Sequence, residues 1–110
     1  MMNPFQRMIE SQLQDVHQQM VDAANELRAT EVVGSAGGGA VKVTVSGLGE
    51  VLEVEIAPEV LAEGDRELVQ DLVCAGVREA LRKASELKRS RLAEALPLHR
   101  LGLELPDILT

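Results

Sequence analysis

Aromatic side chains are almost absent from this sequence of 110 residues, which contains one phenylalanine and neither tryptophan nor tyrosine. Proteins that hold single-stranded nucleic acids or RNA loops usually stack the bases on aromatic rings, so this mode of binding is disfavoured. The only cysteine, Cys74, cannot form a disulfide within the chain, which favours a reducing compartment. Apolar residues still make up 45% of the sequence, enough for an aliphatic core in a single domain.

Long apolar runs are missing as well, since none approaches the roughly 20 residues that span a membrane. The start of the sequence also lacks the apolar region of a signal peptide. We therefore expect a cytoplasmic protein with no membrane partner.

Sequence patterns of catalysis and ligand binding are equally scarce. His17 and His99 lie far apart, with no cysteine or carboxylate at ligand spacing, so a metal site is not predicted. No nucleophile is paired along the chain with a base and an orienting acid. The run of three glycines at 37–39 leads into a predicted strand, whereas a phosphate-binding loop leads into a helix. We interpret the run as a turn, and we expect no enzyme activity, cofactor or small-molecule substrate.

The charge is negative overall but unevenly distributed. The formal net charge is −7, which is unusual for a nucleic-acid-binding protein. Residues 1–77 contain 4 basic and 13 acidic side chains, whereas residues 78–110 contain 7 basic and 5 acidic ones. A local basic patch is what matters to a phosphate backbone, and the second segment can provide one.

Alternating apolar and polar residues predict an antiparallel sheet in the middle of the chain. Two strands with one buried face are indicated, and the glycines at 47 and 49 allow a tight reversal between them. A shorter strand over 32–36 precedes the glycine run. The apolar residues of the two longer strands are Val41, Val43, Val45, Leu52, Val54 and Ile56.

A long helix is predicted before the sheet. Asn3 suits the N-cap, Pro4 the first helical position and Gln6 the partner position of a capping box. A helix from Pro4 to about residue 31 is about 42 Å long, whereas strands of seven residues span about 23 Å. The helix must therefore extend beyond its own sheet, and its apolar seam needs a partner: a second copy or the other helix. The seam contains Ile9, Leu13, Val16, Met20, Ala23 and Leu27.

A second helix is predicted from a cap at Asp65 to a stop at Pro97. One of its faces is apolar, and Cys74 lies toward the edge of that face, where a buried thiol is the usual case. We expect the core to include Leu52, Val54, Ile56, Leu72, Val73 and Leu87.

Basic residues cluster on the other side of this second helix. Arg78, Arg82 and Arg89 fall nearly opposite the apolar face at 100° per residue, and Ser85 lies between them. Such an array is either a solvated helix surface near a C-terminus or a set of contacts to DNA phosphates. The candidate DNA-binding residues are Arg78, Arg82, Lys83, Lys88, Arg89 and Arg91.

The central segment also resembles a known family. Residues 34–61 read G-S-A-G-G-G-A-V-K-V-T-V-S-G-L-G-E-V-L-E-V-E-I-A-P-E-V-L, which is similar to the YbaB/EbfC family of bacterial nucleoid-associated proteins. The resemblance extends into the Gln/Met-rich first helix and into residues 80–87. It implies an α+β protein of order α-β-β-β-α, with a three-stranded antiparallel sheet and two long flanking helices, which forms a homodimer, binds double-stranded DNA and helps organise the bacterial chromosome or regulate expression.

The end of the chain departs from that family, whose members often finish in a Gly/Met-rich tail. Residues 97–110 form a Leu-rich C-terminal tail instead, so we expect one αβββα domain over 1–96 followed by this tail. The tail packs on the body or binds a protein partner. The alternative function is therefore an acidic interaction module, or adaptor, that acts without contacting DNA.

Overall fold

A computed structural model describes residues 3–95, and the Leu-rich tail, with the domain boundary predicted before it, lies outside the described residues. The predicted α-β-β-β-α order and the antiparallel sheet are confirmed. One short helix was not predicted: Pro58 occupies its first turn, and it ends before Gly64, whose φ of 73° is left-handed. The elements are α1 (Pro4–Ala29), β1 (Glu31–Ala36), β2 (Val41–Ser46), β3 (Val51–Ile56), α2 (Pro58–Ala62) and α3 (Arg66–Ala95).

Both long helices begin at the side-chain caps that the sequence predicts. The amide of Gln6 donates to Oδ1 of Asn3 at 2.7 Å, and the amide of Asn3 donates to Oε1 of Gln6 at 3.1 Å, which completes the capping box. At the start of α3, the amide of Leu68 donates to Oδ1 of Asp65 at 3.1 Å. Each cap satisfies amides that have no partner inside the helix.

The three strands are neighbours in chain order, β1-β2-β3, and both pairs are antiparallel. The glycine run forms a 3-10 turn between β1 and β2, and its three φ angles lie between 62° and 95°, a region that favours glycine. Val43 of β2 is paired with Gly34 on one side and with Val54 on the other, so these three positions share one face of the sheet. Leu52 is an extra residue between the pairs Val45–Val51 and Thr44–Glu53 and forms a bulge.

The core lies where α3 crosses this face. Val41, Val43 and Val45 are fully buried, as predicted, and pack against α3 at Ala80 and Ala84. The helix approaches β1 so closely that a Cβ atom on Gly34 would lie 2.6 Å from Cα of Ala80. Only a glycine at position 34 is compatible with this contact between the backbones.

The predicted burial of β3 is wrong for the single chain. Leu52 is 52% exposed and Val54 is 41% exposed, because α3 packs on β1 and β2 and leaves β3 uncovered. Cys74 is also exposed, contrary to the prediction of a buried thiol. The remaining residues expected in the core are half-buried: Ile56, Leu72, Val73 and Leu87.

The first helix extends beyond the sheet, as its length predicts. Its 26 residues measure about 39 Å, whereas each six-residue strand spans about 20 Å. Only Ala23 and Leu27 are buried, near the end of α1, where it packs on α3 and the Leu27 carbonyl accepts a hydrogen bond from the Gly47 amide. The C-terminal part of the seam is thus covered by the other helix of the same chain, and its N-terminal part is exposed.

We expect Gly34→Ala to destabilise the fold by about 2–3 kcal/mol, because the added methyl group would overlap backbone atoms that no rotamer change can move away. The measurement is the free energy of unfolding in urea. Ser35→Ala, at the next and exposed position of β1, is the control and should unfold near the parent midpoint. A Gly34→Ala variant as stable as the parent would show that the close approach is not a constraint.

Candidate nucleic-acid interface

The six basic side chains predicted to contact DNA all belong to the second half of α3. Arg78, Arg82 and Arg89 are exposed, and Ser85 between them is half-buried. At 100° per residue these four positions face away from the sheet. We name them the α3 basic stripe. The structure therefore places the predicted stripe on the solvent-facing side of α3.

Arg82, in the middle of the stripe, is held by two carboxylates of its own helix. Its Nη2 lies 2.8 Å from Oε1 of Glu79, and its Nη1 lies 2.7 Å from Oε1 of Glu86. The hydrogen bond to Glu79 raises the pKa of Arg82, and the same bond lowers the pKa of the Glu79 carboxyl. Because the Arg82 side chain is 55% exposed, these pairs are weak and can exchange with a phosphate.

Lys83 lies beside the stripe and points toward the edge of the sheet. Its Nζ donates to the carbonyl oxygen of Val33 at 3.2 Å and lies 3.8 Å from Oε1 of Glu79. Val33 belongs to β1, the edge strand next to α3, so Lys83 occupies a backbone acceptor that another strand could otherwise use. This contact gives Lys83 a structural role in addition to its predicted one.

Arg91 connects the two long helices. Its Nε lies 2.5 Å from Oε2 of Glu26 in α1, and its Nη1 lies 3.6 Å from Oε2 of Glu94. The hydrogen bond to Glu26 raises the pKa of Arg91, and the same bond lowers the pKa of the Glu26 carboxyl. The guanidinium group is thus directed to α1, not aligned with the stripe.

Two of the predicted residues have no carboxylate partner among residues 3–95. Arg78 is exposed and Lys88 is half-buried, and neither side chain forms an ion pair within residues 3–95. Arg89 lines a shallow depression of the surface together with Arg82, Ser85 and Glu86. The positive charge of the stripe is therefore less engaged at Arg78 than at Arg82.

Sequence reasoning did not identify the acidic partners of these cations. Glu79 and Glu86 lie three residues before and four residues after Arg82, and this helical spacing is a usable signal for an ion pair. Glu26 is 65 residues from Arg91, and no local pattern connects them.

Residues 3–95 contain no group of three or more histidine, cysteine or acidic side chains that could hold a metal ion. Among the helices of that range, none combines the length and apolar character required to cross a membrane.

Comparison with known proteins agrees with the fold and with the resemblance in the central segment. Residues 2–97 match the profile of the YbaB/EbfC DNA-binding family. The chain belongs to this family. A nucleoid-associated protein of Dictyoglomus thermophilum is 41% identical over 101 residues, which cover 89% of this chain and 95% of the relative. A nucleoid-associated protein of Chlorobium phaeobacteroides is 49% identical over 84 residues, which cover 76% of this chain and 74% of the relative.

A solved structure shares the same fold. The crystal structure of an uncharacterized protein from Helicobacter pylori superposes with a TM-score of 0.70 at 23% identity, over 86% of this chain and 96% of that one. The YbaB/EbfC assignment confirms the predicted family. The α3 basic stripe therefore belongs to a protein of the YbaB/EbfC family. That family is described by DNA binding and not by an enzyme activity.

The ion pair between Glu26 and Arg91 should make stability depend on pH. Because the folded chain lowers the pKa of Glu26, the pair contributes above the ordinary carboxyl pKa and is lost as the pH falls through the lowered value. We expect Glu26→Gln to unfold at lower urea concentration than the parent at pH 7, and we expect this difference to narrow as the pH is lowered toward 3. Glu10→Gln, another exposed acid of α1, is the control. A gap between parent and variant that is unchanged from pH 7 to pH 3 would contradict this role.

Proposed function

We propose that this protein is a nucleoid-associated, non-catalytic DNA-binding protein. It contacts duplex DNA mainly through the phosphate backbone, as a homodimer, and helps organise the bacterial chromosome or regulate expression. The observation that carries the proposal is the α3 basic stripe, whose three arginines are exposed on the helix that packs in the core through Ala80 and Ala84. The family description and the name shared by the relatives support the choice of DNA as the partner.

The dimensions of the stripe suit a duplex backbone. Residues 78 and 89 are separated by about 16 Å along the helix at 1.5 Å per residue. That length of B-form DNA contains about five phosphates on each strand, at one per 3.4 Å of axis. Guanidinium groups form paired hydrogen bonds with phosphate oxygens, so arginine at three of the four stripe positions favours phosphate contact over simple solvation.

The charges around the stripe limit its affinity. Arg82 must exchange Glu79 and Glu86 for phosphate oxygens, whereas Arg78 reaches DNA without breaking an ion pair within residues 3–95. The acidic remainder of the chain repels DNA at long range, since the net charge is −7. We expect the non-specific range, with Kd of roughly 10⁻⁴–10⁻⁶ M at physiological salt.

The uncovered face of β3 supports the homodimer. Val54 shares a face with the buried Val43, yet it is 41% exposed, and Val51 and Leu52 are each 52% exposed. The two edges of the sheet also differ, because Lys83 occupies a backbone carbonyl on β1 and the outer edge of β3 pairs with no strand of residues 3–95. A second copy on the β3 face would bury these side chains and cover that edge. It would also give one assembly two basic stripes.

We expect the parent to sediment at about 24 kDa, twice the chain mass of 11.9 kDa, at micromolar concentration. Val54→Glu should shift it toward the monomer, because a buried carboxylate would face the partner without a counter-charge. Val33→Glu is the matched control: Val33 is a similarly exposed valine that is paired with Thr44, on the opposite face of the same sheet. A parent that stays monomeric, or a Val54→Glu variant as dimeric as the parent, would contradict the proposed interface.

The triple variant Arg78→Gln, Arg82→Gln and Arg89→Gln tests the stripe directly. Binding should weaken by similar factors on unrelated duplexes, and the slope of log K against log salt should flatten by up to about three units, about one per lost phosphate contact. Fluorescence anisotropy at several salt concentrations measures both quantities. The variant should retain the parent's circular dichroism and sedimentation, since all three side chains are exposed.

The two carboxylates that hold Arg82 supply a control with the opposite expected effect on DNA affinity. The double variant Glu79→Gln and Glu86→Gln releases Arg82 and removes two negative charges, so it should bind duplexes more tightly than the parent. If the triple arginine variant bound as tightly as the parent, the stripe would be an ordinary solvated surface.

The acidic interaction module remains the alternative, and salt separates the two functions. Binding through phosphates weakens steeply as salt is added, whereas a contact made by apolar residues changes little. A complex that forms equally well at low and high salt would favour a protein partner and contradict DNA binding.

A further inference from the structure

We propose that the Leu-rich segment 96–110 packs on the exposed apolar seam of α1 in its own chain. We name Phe5 and the N-terminal part of the seam the α1 stripe; Val16 in it is half-buried, and the others are exposed: Phe5, Ile9, Leu13 and Met20. The contact joins the end of the chain to its first helix and is independent of the proposed DNA binding.

The α1 stripe is the continuation of a surface that is buried elsewhere in the same helix. Ala23 and Leu27, at the sheet end of α1, lie on the same helical face and are 0% and 2% exposed. Leu13 and Phe5, farther from the sheet, are 66% and 65% exposed. A helical segment of this length without tertiary contacts is marginal in water, so the uncovered part of α1 needs apolar contacts to stay ordered.

The path of α3 brings the rest of the chain to this stripe. The helix packs on the sheet as far as Ala84 and then runs beside α1, where Arg91 meets Glu26. Since α1 approaches the sheet and α3 leaves it, the two helices are antiparallel. Extending both from the Arg91–Glu26 pair at equal rise places the end of α3 beside Asp22, two residues from Met20. Ala95 is only 6% exposed there.

The segment has the composition and the reach to cover the stripe. The distance from residue 20 to residue 5 along α1 is about 23 Å, and fifteen extended residues span up to about 50 Å. A segment attached at this point has an effective concentration in the millimolar range, far above that of a second copy at micromolar protein. Its aliphatic side chains are Leu96, Leu98, Leu101, Leu103, Leu105, Ile108 and Leu109.

Disulfide trapping tests the contact in the full-length chain. In a Cys74→Ala background, we compare Gln12→Cys with Ser11→Cys, each combined with Gly102→Cys. Gln12 borders the α1 stripe, whereas Ser11 faces the other side of the same helix at 100° per residue. The Gln12 pair should form an intramolecular disulfide at least about tenfold faster, because packing raises the local thiol concentration. Equal rates, or disulfide-linked dimers as the main product, would overturn the proposal, the latter by showing that a second copy covers the stripe.

Hydrogen exchange gives a readout that needs no cysteine. The variant L101S/L103S/L105S should exchange the amides of residues 8–18 at least about tenfold faster than the parent, whereas L101M/L103M/L105M should stay close to the parent. The amides of β2 serve as the internal reference, since that strand is in the core. If the serine variant retained the protection of the parent in α1, the proposal would be wrong.

Discussion

The close approach of α3 to β1 is the contact on which the rest of the structure depends. Gly34 has no side chain to separate the helix from the strand, and Gly76 and Ala80 present the smallest side chains to it. A helix that rests on the backbone of β1 covers β1 and β2 and leaves β3 open. One contact between small residues therefore decides which apolar residues form the core and which remain available to a partner.

The same contact decides how the basic residues are presented. Because the small residues of α3 face the sheet, Arg78, Arg82 and Arg89 face solvent along one side of this helix. Carboxylates of the same helix hold Arg82, and Glu26 of α1 holds Arg91. The protein thus combines an acidic surface with a narrow basic stripe. Ion pairs within the chain weaken the positive electrostatic potential of that stripe. This arrangement fits backbone contact of modest affinity better than tight sequence-specific binding.

Most of the elements could be predicted because they are encoded locally. The capping box at Asn3 and Gln6, the cap at Asp65 and the alternation in β2 each depend on residues within a few positions of one another. The position of the stripe on α3 follows from the helical period alone. The ion pairs of Arg82 with Glu79 and Glu86 could also have been predicted, because these residues lie three and four positions from Arg82 in the same helix. The short helix α2 was missed although Pro58 marks its start.

By itself, the sequence determined the order and type of the long elements, the family, and the face of α3 that carries the basic residues. Only the tertiary structure decided that Leu52 and Val54 are exposed, that Lys83 occupies the Val33 carbonyl and that Arg91 joins α3 to α1. The physical reason is the range of the interactions. Periodicity and capping act over a few residues, whereas burial on β3 depends on where a helix dozens of residues away lies across the sheet. The close fit between the backbones at Gly34 and Ala80 sets that position. The hydrophobic pattern of the sequence does not encode this fit.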